Sequence, residues 1–209
     1  AINDIFYGGG SVSLWVYPGS NSDGLDRILH KTDIGDSISD DGWVLYLQGE
    51  SAEENGIAFI QDFSGQLGRW DVYHYGLTRN AWSHIALVYD SSSNNNDPIL
   101  YINGEIEDGF TEGQTPQGEP LSDGDKPLFI GFDPGADQAD FDGNITNLEF
   151  WNKELTQSEV QNIISNGVTG AEEDLAAYWP FNAGDGDILF DHSGNQAHGD
   201  ISGATWSTD

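Results

Sequence analysis

Short runs in which apolar residues alternate with polar ones, or stand together, recur along the chain; this is the pattern of strands covered on one or both faces. They occupy residues 11–17, 27–30, 43–47, 57–62, 70–75, 82–89, 99–102, 128–132 and 145–151. Gly, Asn, Asp, Ser and Pro gather between them at 18–24, 91–98 and 113–124, and each of these residue types turns a chain by a defined backbone or side-chain mechanism. Many short strands joined by turns predict an antiparallel two-sheet sandwich. Asn103-Gly104, between 99–102 and a short segment at Glu105 and Ile106, is the strongest hairpin signal, because a two-residue type I′ turn needs positive φ at both positions.

One stretch has the helical period instead. Thr156 can cap a helix whose early turn carries Glu159, Val160, Ile163 and Ile164 fall on one face, and Gly167 stops it. Residues 175–181 and 188–190 read again as strands. The tail therefore belongs to the same sandwich, and residues 1–209 are expected to form a single all-β domain with one short helix.

Composition supports one core. With 209 residues, 37% of them hydrophobic and 12% aromatic, such a chain can bury roughly 70% of its unfolded surface without staples. It has no cysteine, which removes disulfides, thiolate nucleophiles and zinc-thiolate sites. No initiator Met, signal peptide or bilayer-length apolar run is visible, so we expect a piece of a longer protein. Charge is extreme: 36 acidic residues face six basic ones, for a net −30. Nucleic acid and anionic membranes need clustered Lys and Arg, so neither is expected as a partner, nor is membrane insertion. A field of this size favours bound cations or screening salt, which leaves calcium and a saline habitat both open.

Residues 11–18 (SVSLWVYP), 28–31 (ILHK) and 42–47 (GWVLYL) are followed in order by 82–90 (WSHIALVYD), 100–104 (LYING), 141–145 (FDGNI), 178–182 (YWPFN) and 191–195 (DHSGN). The ordered set resembles laminin-G-like jelly-roll domains of the concanavalin A-like lectin/glucanase superfamily over nearly the whole chain. That resemblance implies two packed antiparallel sheets, shared with pentraxins and legume lectins. Fold alone does not assign function.

Glycoside hydrolysis needs two carboxylates about 5–9 Å apart. The acid motif of hydrolases with this fold is absent, and the nearest string, Glu105-Ile106-Glu107-Asp108, reads as a hairpin; no catalytic residue is expected. His84 matches the family's Trp-x-His strand, which implies a hydrogen-bonded core role. Asp191 and Ser193 start a turn, where side-chain capping explains them at least as well as metal binding. The segment 133–143 carries Asp133, Asp137, Asp140 and Asp142, and hard oxygen donors without Cys or His select calcium. It is not an EF-hand, so a site must borrow ligands from another loop. Resemblance to pentraxins implies Asp40, Asp41, Asp133 and Asp137 as metal ligands. The laminin G arrangement implies instead Asp33 or Asp36 with Asn80, and solvated loop charge is the plain alternative to both. Alternation separates Trp70, Val72 and His74 from Asp71, Tyr73 and Tyr75; the second set, with its acid and phenols, suits a polar ligand. These readings converge on a calcium-dependent carbohydrate-binding or adhesion module, secreted or at the cell surface. Its expected partners are glycans or cell-surface glycoconjugates and neighbouring domains of the same chain. The alternative is a structural spacer or accessory domain without a ligand of its own.

Overall fold

A computed structural model describes residues 2–20, 25–32, 42–49, 54–133 and 140–207. In chain order the elements are β1 Gly10–Pro18, β2 Arg27–Lys31, β3 Trp43–Gly49, β4 Glu54–Gln61, β5 Gly68–Thr78, β6 Ser83–Tyr89, β7 Ile99–Ile102, β8 Glu105–Ile106 and β9 Thr111–Gln114. Then come β10 Leu128–Ile130, β11 Gly143–Trp151, helix α1 Gln157–Asn166, β12 Leu175–Trp179, β13 Ile188–Leu189 and β14 Gly199–Asp200. The strands form an all-β antiparallel jelly-roll sandwich. One sheet has the order β12-β11-β1-β6-β7-β8, the other β10-β2-β3-β4-β5-β9, and β13 with β14 makes a small ribbon.

The predicted alternation sets the core. Val12, Leu14 and Val16 of β1 and Ile85, Leu87 and Tyr89 of β6 turn inward from the first sheet, meeting Leu45, Leu47, Ile57, Phe59, Trp70 and Val72 of the second. Phe6 fills the space between, with its ring edge-on to Trp43 at 5.3 Å and to Phe59 at 5.4 Å between centroids, a favoured aromatic geometry. Asn103 (φ 51°) and Gly104 (φ 83°) both take positive φ, as the hairpin turn from β7 to β8 requires. Two elements depart from expectation: β9 lies partly inside the stretch read as loop at 113–124, and β14 was not anticipated. β9 has no apolar run and pairs with β5 through its backbone at the sheet edge.

α1 starts where the sequence predicts. The Thr156 side chain accepts from the Glu159 N–H while Glu159 bonds back to the Thr156 N–H, a complete capping box, and Gly167 ends the helix at φ 72°. Val160 and Ile163 face the first sheet's outer side, where they meet Ala86, Val88, Tyr101, Trp151 and Tyr178. At the chain's end Asp191 accepts from the Tyr178, Ser193 and Ala197 N–H groups, the capping role expected of it.

Candidate functional site

Strand parity gives the second sheet an outer face of its own: Val44, Tyr46, Ala58 and Ile60 form a buried cluster separate from the core. Arg27 pairs with Tyr46 across the β2–β3 register, and its guanidinium carbon stands 4.7 Å from the centre of the Tyr46 ring, within cation–π range. Arg27 Nε donates to Asp133 Oδ2 at 2.9 Å and Nη1 to the Leu25 carbonyl at 2.9 Å. Arg27 and Asp133 are only 4% and 5% exposed, so this pair is a buried one. His30 Nδ1 lies 3.6 Å from Asp133 Oδ1, too far for a hydrogen bond. Burial lowers the His30 pKa to about 4; Asp133 opposes that shift and Arg27 adds to it. The group is a neutral imidazole beside a carboxylate, because desolvation exceeds the attraction.

β2 links the two acid-rich parts of the sequence. Asp133 meets its Arg27 and His30, and β3, the strand that follows Asp40 and Asp41, begins with Trp43 paired to Lys31. Asp133 is thus committed to a strand arginine, a role the sequence reading missed because the partners are 106 residues apart. Asp33, Asp36, Asp40, Asp41 and Asp137 lie outside the described residues. Tyr73 and Tyr75 lie on β5, with side chains outside the description. Their parity mate Asp71 is buried and accepts from Arg69 Nε at 2.7 Å. Asn80 is exposed in the turn from β5 to β6, at φ 56°, and its N–H donates to the Pro18 carbonyl at 2.7 Å. Among the described residues no three His, Cys, Asp or Glu side chains come together as a metal site. Asp133, already bonded to Arg27, does not supply one alone.

Two buried titratable groups stand on the other sheet's outer face. Glu149, 2% exposed on β11, receives a short hydrogen bond from the Ser13 hydroxyl. Burial raises its pKa to about 8, with Ser13 opposing and Glu172 adding to the rise. His84 is buried as expected and packs edge-on against Trp15 at 5.4 Å. Neither ring nitrogen has a hydrogen-bond partner, which corrects the expectation of a hydrogen-bonded role; burial lowers its pKa to about 4. The acids of the 105–108 hairpin are tied into the fold. Glu105 accepts from Gln157 Nε2 at 2.9 Å and Gln161 Nε2 at 3.2 Å, and Glu107 caps the Gly109 N–H at 3.0 Å.

No curated protein matches the chain. Among solved structures, a protein from Bacteroides ovatus provisionally described as carbohydrate binding superposes with a TM-score of 0.64 at 18% identity, covering 98% of this chain and 56% of that one. The chain thus spans little more than half of that protein. A native heptameric SAP-like pentraxin from Limulus polyphemus gives 0.52 at 16% identity, covering 77% of this chain and 71% of that one. The CBM40 of a Ruminococcus gnavus IT-sialidase, bound to α2,3-sialyllactose, gives 0.52 at 14% identity, covering 74% and 81%. At such identities these likenesses speak for the fold. The family profile is more specific: residues 5–161, about three quarters of the chain, match a laminin G family described as the concanavalin A-like lectin/glucanases superfamily, and the chain belongs to that family.

Proposed function

We propose that this chain is a carbohydrate-binding module of an extracellular protein, secreted or at the cell surface, and that it binds without catalysing. The observation that carries the reading is the likeness over 98% of the chain to a protein described as carbohydrate binding, supported by the sialyllactose-bound CBM40 neighbour. Its own acids argue against hydrolysis: Glu105 ties the hairpin to the helix, Glu107 caps the turn after it, and Glu149 is buried. A hydrolase needs two carboxylates open to one glycosidic bond. No helix among the described residues is long and apolar enough to cross a membrane.

The calcium part of the proposal rests on Asp40, Asp41, Asp133 and Asp137, of which Asp133 also pairs with Arg27. Oxygen donors on a chain of net charge −30 would supply a hard-cation site, and the metal would offset their mutual repulsion. The test is a glycan array with calcium and with a chelator, beside melting curves in calcium and in magnesium at equal ionic strength. A specific site stabilises the fold by about 2.7 kcal/mol at a hundred times its dissociation constant. Equal shifts with both ions would reduce calcium to screening. No glycan bound under either condition would leave a spacer.

A further inference from the structure

All six lysines and arginines of the chain lie among the described residues, and none is exposed: Arg27 and Lys31 are buried, while Arg69, Arg79, Lys126 and Lys153 are half-buried. Such side chains ordinarily stand in water; here each is held by an acceptor of the fold. Arg27 meets Asp133 at 2.9 Å, Arg69 meets Asp71 at 2.7 Å, Lys126 stands 3.7 Å from Asp125, and Lys153 meets Glu159 at 2.8 Å. Lys31 lies 3.2 Å from Asp123 Oδ1 and donates to the Asp123 and Lys126 carbonyls, both at 2.8 Å. Arg79 Nη1 donates to the Ser20 carbonyl at 3.1 Å.

The other ordinary holder of an anion, a helix N-terminus, is filled as well. Glu159 carries its own carboxylate to the first turn of α1, accepting from the Thr156 N–H and hydroxyl, both at 2.8 Å. Acids, in contrast, stand in solvent: Asp108, Glu112, Glu119, Glu173, Asp185 and Asp200 are exposed, on a chain with 36 acidic residues against six basic ones. An approaching anion meets that field without a cation to receive it. Bound calcium changes little, since it takes the net charge only from −30 to −28, and its two charges are outnumbered by the carboxylates of Asp40, Asp41 and Asp137.

We infer that the glycan this chain takes carries no acid group. This rests on the carbohydrate-binding reading and adds a charge class to it. To bind a carboxylate or sulfate, the chain would have to draw a guanidinium or ammonium away from a contact the fold uses. For Arg27 or Lys31 that would leave a buried carboxylate, Asp133 or Asp123, without its partner, which is strongly destabilising. Neutral sugars ask for no such exchange, because aromatic faces and uncharged hydrogen-bonding groups hold them. The chain thereby parts from the CBM40 neighbour, whose structure contains α2,3-sialyllactose.

A glycan array of matched pairs tests this: galactose beside sulfated galactose, glucose beside glucuronic acid and lactose beside sialyllactose, among a broad set of neutral glycans. The 209-residue chain is applied in calcium and in a chelator at about pH 8, where exposed histidines are neutral. Hits should be neutral glycans, and an acid group on the terminal residue of a hit should weaken binding at least about tenfold, since like charges brought together are strongly unfavourable. In about 1 M salt, where the Debye length is about 3 Å, the penalty should shrink without reversing, because screening removes repulsion and supplies no partner. An acidic glycan bound as well as its neutral mate, with either ion condition, overturns the charge class and leaves the carbohydrate-binding reading standing. So does a reversal of preference in high salt. A chain that binds no glycan at all overturns both readings.

Discussion

On the outer face of the first sheet Glu149 takes a hydrogen bond from Ser13 and is held protonated to about pH 8; on the outer face of the second sheet Asp133 meets the guanidinium of Arg27 at 2.9 Å. Both carboxyl groups are nearly inaccessible, so each face has had to deal with desolvating an acid. One does so with a proton, which ties its stability to pH. The other does so with an opposite charge, which ties its stability to Arg27 on β2.

Breaking the pair should have the largest effect. Asp133→Ala leaves Arg27 buried without its carboxylate and is expected to cost about 3–5 kcal/mol, read as a loss of roughly 6–20 °C in Tm for a domain of this size. A double variant, Arg27→Met with Asp133→Leu, should recover most of it; if Asp133→Ala alone melts like wild type, the two faces do not differ as described. Asp133→Ala is consequently a poor probe of calcium, and Asp40→Ala and Asp41→Ala are the cleaner ones.

Next is Glu149→Gln. The folded carboxyl titrates near 8 and the unfolded one near 4.5, so the folded state prefers the proton. Its contribution is complete below about pH 4.5 and is lost as pH rises through 8. Urea unfolding at pH 8 should show the Gln variant more stable than wild type by a few kcal/mol, and the difference should vanish at pH 4. A constant difference across that range would mean the residue does not titrate as placed.

His84 has the opposite sign. Its folded pKa is lowered to about 4, so its contribution is complete above about 6.5 and is lost as pH falls toward 4. His84→Leu should therefore flatten the acid limb of the stability profile by on the order of 2 kcal/mol; an unchanged limb would assign acid sensitivity to other groups, His30 first among them. Smallest is Thr156→Ala. Loss of the capping box should cost about 1 kcal/mol and lower Tm by roughly 2–4 °C, while far-ultraviolet circular dichroism stays that of a β protein.

How much of this was legible depended on range. The helix boundary was, because Thr156, Glu159 and Gly167 act within a few residues of one another, and so was the Asn103-Gly104 turn. The core strands were, because parity is a local property. Neither acid's environment was. Glu149 alternates outward with Asn147 and Trp151 as a solvent-facing residue would, yet the fold buries it to 2% exposure beside Ser13 of β1, 136 residues away. Asp133 reads as one more loop acid until the fold brings β2 to it across 106 residues.

The position of β1 has a consequence for biosynthesis. It precedes every other strand of the sandwich in the chain, yet it lies between β6 and β11, and its register with β11 couples Ser11 to Trp151 and Pro18 to Gly143. At about 5–20 residues per second, a ribosome takes roughly 7–27 s to travel from residue 18 to residue 151 and complete that partner. For that interval one edge of the nascent β1 is unpaired, a state open to chaperones and to aggregation. Chains arrested on the ribosome before β11 emerges should lose β1 to protease, and chains arrested after β12 has emerged should retain it; protection that sets in earlier would show that β1 is secured by β6 alone.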